Sequence, residues 1–191
     1  MKITIVGMGN VGKGLFGALQ NTSHSVTGAG RGDNLAAAVK GADVVILSTL
    51  YDAYADVAKQ ADFSGKLVVC VSNPVTADFS GLQVGHETSA AEELAKLLPG
   101  ATIVKAFNTI FASHYDTGLT IGGKPLETFV ASDDEGARSV VKSIATDIGL
   151  AVRDAGRLKN ARYLEPIGFM NIQFGYVLGG GVEIAPQWLA A

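Results

Sequence analysis

The residues with the clearest chemistry stand at the start of the chain. Ile3-Thr4-Ile5-Val6 runs straight into Gly7-Met8-Gly9-Asn10-Val11-Gly12, and a helical pattern follows. A Gly-x-Gly-x-x-Gly spacing is weak by itself, but between a buried strand and a helix it points to a dinucleotide pyrophosphate. Gly7 permits the tight turn, Gly9 lets backbone approach the phosphates, and Gly12 lets the helix pack close to the strand. The amides of Asn10 and Val11, with Met8 between the first two glycines, would face the anion with the helix dipole behind them. Lys13-Gly14 does not convert the turn into a P-loop, which needs four residues between its glycines and a Lys-Ser/Thr pair.

The choice of dinucleotide depends on the end of the second strand. An NAD site places a carboxylate there, about 20 residues on, to accept from the ribose 2′-hydroxyl. This strand instead ends Gly28-Ala29-Gly30-Arg31. Arg31 can pair with a 2′-phosphate and Gly30 leaves room for it, so the expectation is NADP, with Asp33 as the counterargument. The third strand ends Ser48-Thr49-Leu50-Tyr51, and these residues are expected to line the cofactor. Strand carboxyl ends bind ligands in such sheets, although a helix N-cap would explain Ser48 or Thr49 equally well.

Other reactive side chains are scattered. His24, His86 and His114 are too far apart for a metal-ligand pattern and are expected in loops, so no metal site is expected. Cys70, the single cysteine, lies in Val68-Val69-Cys70-Val71 and reads as a small hydrophobe within a strand. Lys105 at a strand end either anchors a phosphate or ligand or is simply solvated.

Several β-branched runs alternate with helical segments, the pattern of a doubly wound α/β fold with a mostly parallel sheet. Strands are expected over 3–6, 25–29, 43–47, 66–71, 102–105, 127–131 and 150–153. Helices are expected near 11–20, 51–61, 89–98, 134–148 and 161–178. Two stretches, 72–88 and 112–125, break the alternation, and loops of that length are often functional. In the second of them Gly122-Gly123 signals a turn.

The chain has 191 residues, 48% apolar and 17% charged, with 24 glycines and a net charge of −3. That length suits one domain over 1–191 with a small helical extension at 157–191. The balance of charge provides no cationic field for nucleic acid. No stretch approaches the ~20 apolar residues of a membrane span. A lone cysteine and the absence of a signal-peptide core lead us to expect a cytoplasmic protein.

Further blocks carry a resemblance over nearly the whole chain. They are His86-Glu87-Thr88-Ser89-Ala90-Ala91-Glu92-Glu93-Leu94, Val104-Lys105-Ala106-Phe107-Asn108-Thr109-Ile110, and Asp154-Ala155-Gly156-Arg157-Leu158-Lys159-Asn160-Ala161-Arg162, followed by the helix with Asn171-Ile172. With the glycine turn and Arg31, the chain resembles the NADP-dependent coenzyme F-420 oxidoreductase family. The resemblance implies a Rossmann domain with a small C-terminal helical cap and hydride transfer between NADP(H) and a 5-deazaflavin, or a flavin in its place. It also puts Gly7 to Gly12, Arg31, Ser48, Thr49, Leu50, Ala106, Phe107 and Asn108 on nucleotide-binding positions.

Such a transfer needs two stacked rings in a dry pocket and no catalytic triad, so no catalytic residue is expected. Pro74 with Val75, Phe107, Asn108 and Asn171, with Tyr163 and Met170, are the candidates to wall the second ring. Asn108 would otherwise cap the short helix after it. The alternatives are an imine or pyrroline-carboxylate reductase, which generally has a large helical domain that about 30 residues cannot supply, and a non-catalytic NADP sensor. The uncharged helix from Ile167 to Leu178 should be buried, either over the sheet or across a two-fold interface, and a homodimer that uses it is expected.

Overall fold

The computed structural model describes residues 1–189; the last two positions of the expected 157–191 extension lie outside the described residues. Five strands, β1 (Lys2–Val6), β2 (Ser25–Ala29), β3 (Val44–Leu47), β4 (Leu67–Cys70) and β5 (Thr102–Lys105), form a parallel sheet in the order β2-β1-β3-β4-β5. The apolar runs set this arrangement. Strands buried on both faces need hydrophobic side chains at every position, and β3 is buried throughout. Its fold is of the doubly wound Rossmann type.

Alternate side chains feed two cores. Ile3, Ile5, Ile46 and Val104 pack under α1 (Asn10–Gln20) and α5 (Glu135–Asp147). Val45, Leu47, Val68 and Ile103 pack under α3 (Tyr54–Gln60) and α4 (Ala90–Leu97). A short helix, α2 (Leu35–Lys40), follows β2 where no helix was expected. Six residues are below the length at which periodicity speaks, but the Asn34 side chain accepts from the Ala37 amide and starts it.

Beyond Ile110 the chain forms a 3-10 turn at Ala112–Tyr115 and a small hairpin, β6 (Thr120–Ile121) and β7 (Lys124–Pro125). Both hairpin glycines have positive φ, 58° at Gly122 and 76° at Gly123, as a mirror-image turn demands. The pair β8 (Glu127–Val130) and β9 (Ala151–Asp154) is parallel within itself and joins the main sheet through one antiparallel bridge, Lys105 to Ala131.

The last helix, α6 (Ala161–Ile172), continues into a π-helical turn over Gln173–Val177. From there the chain returns to β8 and β9. Glu127 accepts from the Trp188 amide at 2.7 Å, and Arg153 donates to the Trp188 carbonyl at 2.7 Å. No helix among the described residues is long and apolar enough to cross a membrane.

Candidate functional site

The strand order reverses between β1 and β3, and the crevice outside their carboxyl ends is where open α/β sheets bind ligands. The glycine turn sits at that point. Gly7, at φ 94°, donates its amide to Ala29, and a Cβ added there would lie 2.5 Å from the Ser48 carbonyl. A Cβ on Gly12 would lie 1.9 Å from the Gly7 carbonyl, so only glycine lets α1 approach the turn this closely. Gly9 differs: nothing lies within 4 Å of its Cβ position, which leaves its backbone open at the N-terminus of α1. Those features suit a pyrophosphate.

A cavity of about 740 Å³ runs from this turn across the strand ends to α6. Gly9, Asn10 and Val11 form its first edge, Ser48, Thr49 and Leu50 its second, and Phe107, Asn108 and Asn171 part of its far wall. The remaining expected residues lie elsewhere. Met8 packs toward Gly28, whose Cβ would be 2.8 Å from the Met8 sulfur. Ala106 is fully buried in the core. Arg31 is exposed at the end of β2, outside the cavity. Asp33 accepts from the Gly30 amide at 2.8 Å, so its carboxylate braces the turn beside Arg31.

Three expectations about the second ring's wall are overturned. Pro74 does not line the cavity; it is buried, and its carbonyl accepts from Gln83. Tyr163 and Met170 point outward, 67% and 43% exposed, because α6 lays its Gly168 and Asn171 face on the strand ends instead. Asn108 caps no helix. Its amide nitrogen donates to Asn73 at 2.9 Å and to the Leu164 carbonyl at 2.8 Å. Ser48 and Thr49 cap nothing either, since the turn at Tyr51–Ala53 starts from Leu50 without a side-chain cap.

Phe107, at φ 61°, occupies the left-handed region that bulky residues avoid. Its amide is held by the Thr128 hydroxyl at 3.0 Å, and the strain turns Asn108 and Thr109 toward α6. Tyr51 lines the cavity beside Leu50, as the strand end implied, whereas sequence reasoning missed Phe79, Gln83, Thr109, Phe111 and Tyr176, which line it too. Phe79 lies in the long 72–88 loop, whose length was the available signal, and Tyr176 falls within the expected 161–178 helix, where the widening into a π turn over Gln173–Val177 redirects it.

The ionisable side chains lining the cavity are Tyr51, Asp52 and Tyr176, and its deep wall is Val71, Val75, Phe107, Ile110 and Ile172. The buried charges lie behind it. Lys105 is fully buried and pairs with Glu165 at 2.8 Å, so it is neither solvated nor free for a phosphate. It also donates to the Ser72 carbonyl, and the Ser72 hydroxyl donates to Thr49. Burial opposes the Lys105 charge, but the Cys70 sulfur and the Glu165 carboxylate outweigh it, and its pKa lies above the ordinary value.

Cys70 is buried as expected, yet it has polar neighbours: the Tyr54 hydroxyl at 3.0 Å and Lys105 at 3.6 Å. Burial pushes its thiol up despite the lysine. Buried oxygens Thr49 Oγ1 and Asn108 Oδ1, on cavity-lining residues, have no hydrogen-bond partner among the described residues. Among the described residues no group of three or more His, Cys, Asp or Glu could hold a metal ion. His114 is buried in the 3-10 turn and bonds the Ile184 carbonyl at 3.3 Å.

No family model matches the chain. Metalloreductase STEAP3 of Rattus norvegicus is 29% identical over 181 residues, covering 87% of this chain and 36% of the relative, so the chain spans about a third of that protein. A structure from Arthrobacter sp. FB24, provisionally described as an F-420-dependent NADP-reductase, superposes with a TM-score of 0.83 at 23% identity over 96% of each chain. A reductive aminase from Aspergillus terreus, in complex with NADPH and ethyl levulinate, superposes with a TM-score of 0.68 at 16% identity over 93% of this chain and 62% of its own. The likeness read in the motifs therefore extends to the fold as a whole.

Proposed function

We propose that the chain is an NADPH-dependent oxidoreductase that passes hydride to a planar ring, a 5-deazaflavin such as coenzyme F-420 or a flavin. The observation that carries this reading is the single cavity joining the open backbone of Gly9 to an apolar chamber under α6, with no buried acid or base facing it. Bound along that path, NADPH supplies the hydride. The chain's own residues bind, orient and exclude water. Gly9 and the amides of Asn10 and Val11 take the pyrophosphate, and Arg31 takes the 2′-phosphate. Thr49 and Asn108 offer buried oxygens to the nicotinamide end; a ligand group that reached them would offset a cost of about 1–3 kcal/mol per unpaired atom.

Val71, Val75 and Ile110 keep the chamber dry, which hydride transfer between stacked rings requires. Hydride addition leaves a flavin-type ring as a delocalised anion that takes its proton from solvent, whereas an imine or ketone needs an acid at its nitrogen or oxygen as the hydride arrives; the deep wall offers no such acid, which favours a ring acceptor. A second copy packed along α6 completes the proposed enzyme as a homodimer.

The test is nicotinamide absorbance during turnover with a 5-deazaflavin, FMN, a cyclic imine and, in view of the likeness to a metalloreductase, a ferric chelate. Oxidation of NADPH by the deazaflavin or FMN, and not by the imine, is expected. Binding of NADPH with no oxidation by any of the four would instead mark a sensor. Arg31→Ala should weaken NADPH binding about tenfold or more while leaving NADH unchanged, since a charge-assisted pair is lost. Equal loss for both nucleotides would remove the 2′-phosphate assignment.

A further inference from the structure

The mouth of the cavity has two unusual pieces of backbone, and they meet. On the loop after β4, Val75 and Leu82 form a bridge, and between them Asp78 accepts from the Thr76 hydroxyl at 2.7 Å, the Ser80 hydroxyl at 2.8 Å and the Ser80 amide at 3.2 Å. The hydrogen bonds from Thr76 and Ser80 hold the Asp78 carboxyl down to about 2, so this pin stays ionised through the neutral range. It presents Phe79 at φ 59°, half exposed, on the cavity.

On the far element, α6 widens into the π turn, a form that recurs at functional sites. A Cβ on Gly175 would lie 2.8 Å from the Phe111 ring, so glycine seats the turn there, and Tyr176 projects into the mouth edge-on to Phe111 at 5.2 Å. The Gln173 side chain donates to the Phe79 carbonyl at 2.8 Å and ties the two pieces together.

We propose that Phe79 and Tyr176 are the specificity-determining residues for the second substrate, a linked aromatic lip that stacks on a planar fused-ring acceptor. Two aromatic rings left half or more exposed, one on strained backbone and one on a widened turn, make poor use of burial unless a flat apolar ligand covers them. Their place also fits. The nucleotide path enters at Gly9 and Thr49, so the mouth between Phe79 and Tyr176 is left for the partner ring. Both residues are open enough that truncation leaves the core intact.

This inference rests on the hydride-transfer reading, and the experiment separates the two. The full chain is titrated with FMN and with a 5-deazaflavin, each with and without NADP, and quenching of ring fluorescence gives the affinity without turnover. Phe79→Ala and Tyr176→Ala are each expected to weaken ring binding about tenfold, a magnitude typical of one aromatic stacking partner. Phe79→Trp and Tyr176→Phe should restore it, and NADPH affinity should be unchanged in all four. Wild-type chain that binds no ring, or alanine variants that bind as tightly as wild type, overturn the lip even if NADPH is oxidised. Ring binding that falls in both alanine variants supports it even if no hydride is transferred, an outcome that defeats the reaction alone.

Discussion

Lys105 and Glu165 show how a single residue can hold the site from behind. The lysine has three directions to donate and uses them on Glu165, the Ser72 carbonyl and Cys70, all out of water. Glu165 in turn accepts from the Ala90 and Ala91 amides at the start of α4, at 2.8 and 3.2 Å, where the helix dipole favours a negative charge. One pair therefore joins α4, α6 and the ends of β4 and β5. Removing one partner strands the other charge in the interior, so Lys105→Met should cost about 3–5 kcal/mol, read as a shift of the urea midpoint. The double variant Lys105→Met with Glu165→Met should lose less than the single one, but not nothing, because the two α4 amides then lack an acceptor. A single variant as stable as wild type would show the pair to be idle. The lysine was visible in the sequence and its role was not. Its partner is 60 residues away on another element, and no local spacing encodes that.

At the scale of elements, most of the sheet and its covering helices were legible, because β-branched runs and a three-and-four apolar repeat report burial directly. The glycine turn was legible for the same reason: a strand, a turn and a helix meet within ten residues. What stayed hidden were placements between elements. Gly14 follows the turn closely enough to be read with the nucleotide site, yet its Cβ would lie 2.7 Å from the Tyr115 Cβ and 2.8 Å from its ring, so it serves the packing of α1 on the 3-10 turn. Gly168 lets α6 lie on the strand ends, since a Cβ there would be 2.6 Å from the Asn73 amide and 2.7 Å from the Asn108 carbonyl. Those groups are already locked to each other, with Asn73 donating to the Asn108 carbonyl at 2.8 Å. Gly168→Ala must therefore lift α6, and we expect a loss of roughly 1–3 kcal/mol, the usual cost of overpacking. The same variant should weaken binding at the cavity out of proportion to that loss, because the wall itself moves. Thermal unfolding and NADPH titration on one sample check both, and an unchanged affinity would detach α6 from the site.

For the whole molecule, the outward face of α6 is the surface on which we propose that a second copy packs. Tyr163, Met170, Phe174 and Val177 follow one another at seven, four and three residues, a single helical stripe, and each is between 43% and 67% exposed. From Tyr163 to Leu178 the only charged side chain is Glu165, and it is buried. A face without charge gains nothing from an acidic or basic partner, whereas a second copy brings the same neutral apolar stripe across a two-fold axis. Aromatic side chains carry about 150–250 Å² each, so the stripe and its neighbours make a large contribution to the ~800 Å² per partner of a standard interface. Sedimentation velocity at high micromolar concentration should show a dimer. Met170→Glu with Phe174→Glu should give a monomer, since two carboxylates would be buried against two more. Neither residue lines the cavity, so the monomer should still bind NADPH. A wild-type chain that sediments as a monomer would leave this stripe without its second copy, and a charged variant that remains dimeric would place the contact on another face.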